Sequence, residues 1–479
     1  AGGAGGAGGA GGAGGAGSGQ GEGSGATPQE TPPGGGDGSG GFAVGVAFAG
    51  NLAREEITAS SNAFISAPSV RVFARSVGRV DGIAASTGGA STFSVTGAAV
   101  VTAFRRTVEA SVLGGEISTN SLDVRASDRS DSRLRVGSDS ETGDVSIGAA
   151  GVFAIDNRTV IARITDASTQ ELTDTMPAVT VSARQEGNVE LVQTGGGTSS
   201  DEGIAGSIGV GVLLARRTTQ ALIEDSFINA GEVTVIAAQE GNLRNRQGIS
   251  TNAGNGGSIG VIVTALRSDV AARMTGGSLV ADEATVTATE ESRLLSRATK
   301  TGEAEQGIDV MVATATLSGT LVAEVDGAFV NLPNLTITAR DESGVQAAAI
   351  ARASTSNFGA IGGVAYAANR LDVGARLVGR AQGGGLFISD TLTVSAVGES
   401  TLTGTVVGLN MGGGDFAGSL QVAWLTANRD VIATAGGDGW AASHVTVTAR
   451  RADTLLGIGA TAQEGGASVG IAGNVLQTG

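Results

Sequence analysis

One short apolar phrase recurs along the 479-residue chain, and its spacing constrains the fold more than any other feature. Aligned on its closing alanine, it reads SVRVFA to Ala74, LDVRA to Ala126, VTVSA to Ala183, VTVIA to Ala237, ATVTA to Ala288, LTITA to Ala339, LTVSA to Ala396 and VTVTA to Ala449. The steps between these alanines are 52, 57, 54, 51, 51, 57 and 53 residues. A period that drifts but always returns marks a repeat array, in which each unit buries its apolar face only against its neighbours. One elongated array is expected in place of the two or three domains this length could hold.

Within a repeat, Val179, Val181 and Ala183 alternate with Thr180 and Ser182. Period 2 with β-branched residues is the signature of a half-buried strand. Val189, Leu243, Leu294, Val345, Leu402 and Leu455 lie six residues past their alanines, and Leu134 lies eight past Ala126. An even step keeps the side-chain face, so the strand either continues for ~16 residues or turns without changing sides. A Gly-rich loop follows, as in TGGGTSSDEG at 194–203, and then a glycine-spaced apolar stretch that leads to an arginine and a second alternating run. Examples are SIGVGVLLARRTTQALI (207–223), SIGVIVTALRSDVAARM (258–274) and GGVAYAANRLDVGARL (362–377). Gly and Thr at this frequency penalise helix, so the chain is read as all-β.

Repeats in sequence register favour stacking in structural register, which gives an elongated β-solenoid, parallel β-helix-like, of about eight repeats. One coil per repeat would raise the stack by ~4.8 Å each time, about 40 Å in all, and two shorter coils would double that. Stacked long antiparallel hairpins are the alternative, with the Gly-rich loop as hairpin tip. Residues 1–41 form a separate region holding 21 of the 81 glycines and three of the six prolines. With almost no side chain to bury, this segment reads as a low-complexity linker rather than a packed bundle of extended helices, and the array occupies 42–479.

Composition narrows the function classes. Aromatic residues make up 3% of the chain, so small side chains must pack closely. The absence of cysteine excludes disulfides and thiolate chemistry. A formal charge of −16 disfavours nucleic acid and suits solubility in salty extracellular water. No apolar run approaches the ~20 residues of a membrane span. The chain shows no starting methionine, signal peptide or anchor, and it stops in what reads as the opening of a ninth repeat; a segment of something longer is expected.

The order V-T-V-x-A, a Gly-rich stretch, I-G-V-G-V, then R-T-T-x-A-x-I resembles the repeat region of giant bacterial surface proteins, the leukotoxin-type or haemagglutinin-type filamentous adhesins, over about residues 42–479. The resemblance implies secretion through the outer membrane and a β-solenoid stalk that holds a binding head away from the cell. Partners would be neighbouring copies, the rest of a larger adhesin, or surface glycans and proteins. The ~20-residue repeats of filamentous haemagglutinin are shorter, which leaves the number of strands per coil open.

Two charge columns are candidates for structural roles. Glu186, Glu240, Glu291, Glu342 and Glu399 each lie three past the motif alanine; stacked, they would stand within ~5 Å and repel. Arg54, Arg106, Arg158, Arg217, Arg267, Arg370 and Arg429 form a second column, broken at Gly319, that could pair with them. A divalent cation such as calcium between carboxylates is a further reading, and a solvated turn is the plain one. Thr180, Thr234, Thr285, Thr336, Thr393 and Thr446 form an outward row, with Thr287, Thr338 and Thr448 on the next. Such rows fit ice, or simply exposed strand.

Catalytic signals are sparse. The one histidine, His444, has no placed serine elbow, and GGDGSGG (35–41), GGGDF (412–416) and GGDGW (436–440) only echo calcium-binding nonapeptides. The triplets NRT at 157 and NLT at 334 carry no weight. No catalytic, cofactor or metal residue is assigned, and the chain is read as a non-enzymatic structural segment. A carbohydrate-active β-solenoid enzyme is the alternative; it would need carboxylates in a cleft beside an aromatic platform such as Trp424, Trp440 or Tyr366. Ice binding is the more distant alternative.

Overall fold

The computed structural model describes residues 41–172, 176–200, 202–326, 329–378, 386–411, 415–436, 442–464 and 467–478. The linker at 1–41, apart from Gly41, lies outside the described residues, as does Trp440. The described residues are strand almost throughout, without helix.

Strand pairing is parallel, and each run pairs with its own copy one repeat later. Ala74, Ala126, Ala183, Ala237, Ala288, Ala339, Ala396 and Ala449 form one continuous register column. This excludes the antiparallel-hairpin alternative and assigns one coil to each repeat. The strand does continue past the alanine: Ser121–Thr142 is 22 residues long, and Val189, Leu243, Leu294, Val345, Leu402 and Leu455 stack as one column. Leu134 pairs with Leu191, and Ser132 fills the position opposite Val189.

Each coil is flattened. A motif run such as Ser121–Thr142 faces a glycine-spaced run such as Phe93–Ser118 across the core. Thr96 Oγ1 meets Ser138 Oγ at 2.9 Å, and Ser140 Oγ donates to the Ser94 carbonyl at 3.0 Å. Two stacked sheets result, a motif sheet and a glycine-spaced sheet. At one edge the strand bends from the first to the second without a break, so that Phe227–Thr275 and Ser278–Asp326 each run through 49 residues. At the other edge the chain turns through a left-handed residue, Gly114, Asp166, Asp225 or Gly276 in successive coils. A strand of 22 residues spans about 70 Å, whereas nine rungs rise only about 40 Å, so across these coils the sheets are wider than the stack is tall.

The core is apolar at the end of the coil that holds the motif: Leu122, Val124 and Ala126 meet Val108, Ala110 and Val112, all buried. Each fully buried Leu, such as Leu134, Leu191 or Leu243, contributes about 1.5–3 kcal/mol. Toward the Gly-rich bend the two sheets close up. A Cβ built on Gly148 would lie 2.0 Å from the Gly196 carbonyl oxygen, and one on Gly197 2.6 Å from that of Gly206. Backbones this close leave no room for a Cβ at Gly148 or Gly197, which accounts for glycine there, whereas later coils bury Ile249 and the Lys300–Asp309 pair between the same sheets.

Candidate functional sites: a buried charge ladder and an uncharged outer band

The arginine column of the sequence resolves into two adjacent columns on opposite sides of the sheet. Arg54, Arg105, Asn157, Arg216, Arg267, Ser318 and Arg370 share an outward column. Glu55, Arg106, Arg158, Arg217, Ser268, Gly319 and Leu371 share the inward one. Arg429 is buried too, two residues after Ala427, the partner of Asn369. Arg54, Arg267 and Arg370 are therefore exposed, not members of the column of Arg106, Arg158, Arg217 and Arg429. The doublets Arg105–Arg106 and Arg216–Arg217 hide the one-residue difference, and a one-residue slip moves a strand side chain to the other face.

Facing the inward arginines is the column two residues past the motif alanine: Ser76, Asp128, Gln185, Gln239, Glu290, Asp341, Gly398 and Arg451. Together they build a polar ladder inside the core. Arg106 Nε donates to Glu55 at 2.6 Å and its Nη1 to Asp128 at 3.4 Å. Arg158 Nε donates to Asp156 at 2.7 Å and its Nη1 to the Ser130 carbonyl at 2.7 Å. Arg217, fully enclosed, donates to Asp156 Oδ2 at 3.3 Å and to the Gly187 carbonyl at 3.2 Å. Farther along, Arg429 binds Asp341 and Asp453, and Arg451 Nε donates to Asp453 at 2.6 Å.

Electrostatics follow from this pairing. Burial would raise the Asp156 carboxyl, but Arg158 and Arg217 overcome it and hold the group below its ordinary value. Arg217 is pushed down by burial and by Arg158 beside it. Where the ladder lacks a cation the sign reverses. Burial raises Glu290 to about 7 although the Ser268 hydroxyl and the Ser292 amide bond to it. Burial also raises Asp341 despite Arg429.

The glutamates three past the alanine are on the outside, at the turn flanked by Arg129, Asn188, Asn242 and Arg293. Glu240 and Glu291 are register neighbours, as the spacing implied. The ion pairs of this column are with other arginines: Glu186 with Arg129 (3.4 Å) and Arg184 (3.8 Å), Glu342 with Arg340, and Glu399 with Arg450 (3.5 Å). The predicted glutamate-to-arginine cross-column pairing is not what the structure shows, because the two columns face away from each other. Glu55, Asp128, Asp156, Asp341 and Asp453 are the acids that the arginines of the inward column and Arg429 use, and sequence reading missed them. For Asp128, Asp341 and Asp453 the signal was available: an acid at an even step after the alanine, where parity requires burial. Glu55 and Asp156 lie on the glycine-spaced runs, where only the pairing with the arginine column points to them.

Thr180, Thr234, Thr285, Thr336, Thr393 and Thr446 do stack as a column, and Ser395 interrupts the next row between Thr338 and Thr448. His444 is exposed, 3.7 Å from Asp390. Tyr366 and Trp424 meet edge to face at 6.3 Å, with Thr314 and Val475 as their register neighbours on either side. Among the described residues no group of three or more His, Cys, Asp or Glu is placed to hold a metal ion.

The second feature is the outer face of the glycine-spaced sheet. Nine stacked segments, 42–53, 93–104, 145–156, 204–215, 255–266, 306–317, 358–369, 416–427 and 467–478, contain only two charged residues, Asp156 and Asp309, and both are buried. Their outward positions are mostly aliphatic, aromatic or glycine, with Asn255, Gln306, Thr314, Thr316 and Gln477 as uncharged polar members. Ile208, Ile259, Val310, Leu420 and Ile471 follow one another with Gly362 among them, and Val210, Val261, Val312, Val364 and Val422 form the next column. Ile208 and Ile259 are 45% and 50% exposed. Inward positions here hold Ser94, Thr96, Ser146, Ser207, Ser258 and Asp309, the last paired with buried Lys300 at 2.7 Å. At the bend end polarity is thus inverted, with small polar groups inside and branched apolar ones outside, while farther along the same segments Val100, Val152, Leu213, Ile262, Leu317 and Leu425 are buried.

No protein-family model, curated protein or solved structure matches the chain.

Proposed function

We propose that the chain is a structural repeat segment, of stalk or filament, in a secreted bacterial cell-surface adhesin or extracellular fibre. The observation that supports this is the unbroken register of the motif alanines. Each coil adds the same rise and covers the same apolar face of its predecessor, which is how a stack gains length without changing its chemistry. The acidic charge accords with an extracellular setting. Immunogold electron microscopy with an antibody against the array, on the cells that make it, tests the reading. Gold on fibres or on a layer outside the envelope is the expected result. Gold confined to the cytoplasm would overturn it.

A further inference from the structure

The inverted band is too large to be left to water. Twelve residues of strand span about 40 Å and nine rungs about 38 Å, a face of about 1,500 Å². Exposed apolar patches on monomers reach only a few hundred Å², and a standard interface needs about 800 Å² per partner.

The edges of the band say what covers it. One edge is the outward arginine column Arg54, Arg105, Arg216, Arg267 and Arg370. Arg267 leans on Asp269 at 3.2 Å, and Glu56 and Asp372 stand at the same offset from Arg54 and Arg370, whereas Thr107 and Thr218 stand there beside Arg105 and Arg216, which are the cations of this edge without an acid at that offset. The opposite edge, just before the segments that begin at 145, 204, 306 and 416, exposes Asp144, Glu202, Glu303, Glu305 and Asp415, with Arg352 set back around the bend. A face with a basic edge on one side and an acidic edge on the other is complementary to itself under one operation: a two-fold axis lying in the face, parallel to the stacking direction. That rotation lays band on band with strands antiparallel and sets each arginine edge over the partner's acidic edge. A two-fold across the stack would instead oppose acid to acid.

We infer that the outer face of the glycine-spaced sheet is the interface of a face-to-face homodimer, built around this axis, with the two sheets about 10 Å apart. A lipid surface fits less well. Anionic headgroups would repel a chain of charge −16, and a bilayer gives no partner to an acidic edge. The inference concerns lateral pairing and is independent of the stalk reading, since a segment of any extracellular or other fibre could pair this way.

Sedimentation velocity of the chain over a range of concentrations, with circular dichroism melts as the control for folding, is the test. The expected result is a dimer that Val210→Lys or Ile259→Lys weakens at least ~100-fold, since each buries an unpaired charge in both copies, while leaving the melt unchanged. Arg105→Glu with Arg216→Glu should also weaken it. Adding Asp144→Lys and Glu202→Lys to that variant should restore it, because both edges are then reversed. A monomer at every concentration, a dimer indifferent to Val210→Lys, or no restoration by the edge swap would overturn the proposal. So would a monomer that floats with uncharged phosphatidylcholine vesicles, which would assign the face to lipid.

Discussion

Glu290 shows how one residue inside the ladder sets a property of the whole chain. Its carboxyl is fully enclosed, and burial lifts it from 4.5 to about 7. The folded chain therefore holds a proton over that window which the unfolded chain has released. Its contribution is complete below about 4.5 and is lost as the pH rises through 7, on the order of 3 kcal/mol in all. Asp341, also raised, adds to the same trend, whereas Asp156 and Asp453, held low, act at more acidic pH with the opposite sign. In Glu290→Gln the fall in melting temperature from pH 5 to pH 8 should flatten, leaving the variant more stable than wild type at pH 8. Calorimetry at unit pH steps checks this; equal slopes for the two proteins would show that Glu290 does not titrate in that window.

At the scale of the element, the governing variable is which side of a strand a residue occupies. Gly148 and Gly97 are both glycines of the uncharged band, in adjacent columns. Gly148 points inward, where an added Cβ would strike the Gly196 carbonyl at 2.0 Å; Gly97 points outward, with nothing within 4 Å. Gly148→Ala should destabilise by about 1–3 kcal/mol, because two backbones must separate. Gly97→Ala should be neutral or stabilise by about 0.4–1 kcal/mol through the unfolded chain. Urea titrations of the two variants measure the difference, and similar midpoints would contradict the close approach of the sheets. The same parity separates Arg217, enclosed and bound to Asp156, from Arg216 in the solvent.

For the whole molecule, the register makes coils interchangeable. Ala237 pairs with Ala288, so removing residues 238–288 joins two equivalent points and deletes one rung. The shortened chain should fold cooperatively, keep its β spectrum, and lose about 4.8 Å along the stack. Circular dichroism with small-angle scattering would show this. Loss of cooperative unfolding would mean that the coils differ in more than position. The charges favour such tolerance at the outer surface more than in the ladder, where Arg217 and Asp156 of neighbouring coils share a network.

The sequence alone determined the repeat, the β class, the parity of the motif strand and the columns of Ala and Thr, because each depends on local alternation and on a period that any stacking must respect. It also held the uncharged twelve-residue windows, though alternation by itself does not say which of their two faces is inside. That choice, like the assignment of Arg106, Arg158 and Arg217 to the core and of Arg54, Arg267 and Arg370 to solvent, is tertiary. It is decided by how the two sheets of a coil meet: wide enough at the motif end to bury Leu and Val, and at Gly148 and Gly197 near the bend too close for a Cβ. Only the folded coil brings residue 106 to residue 128, and only the stack turns isolated valines into a face.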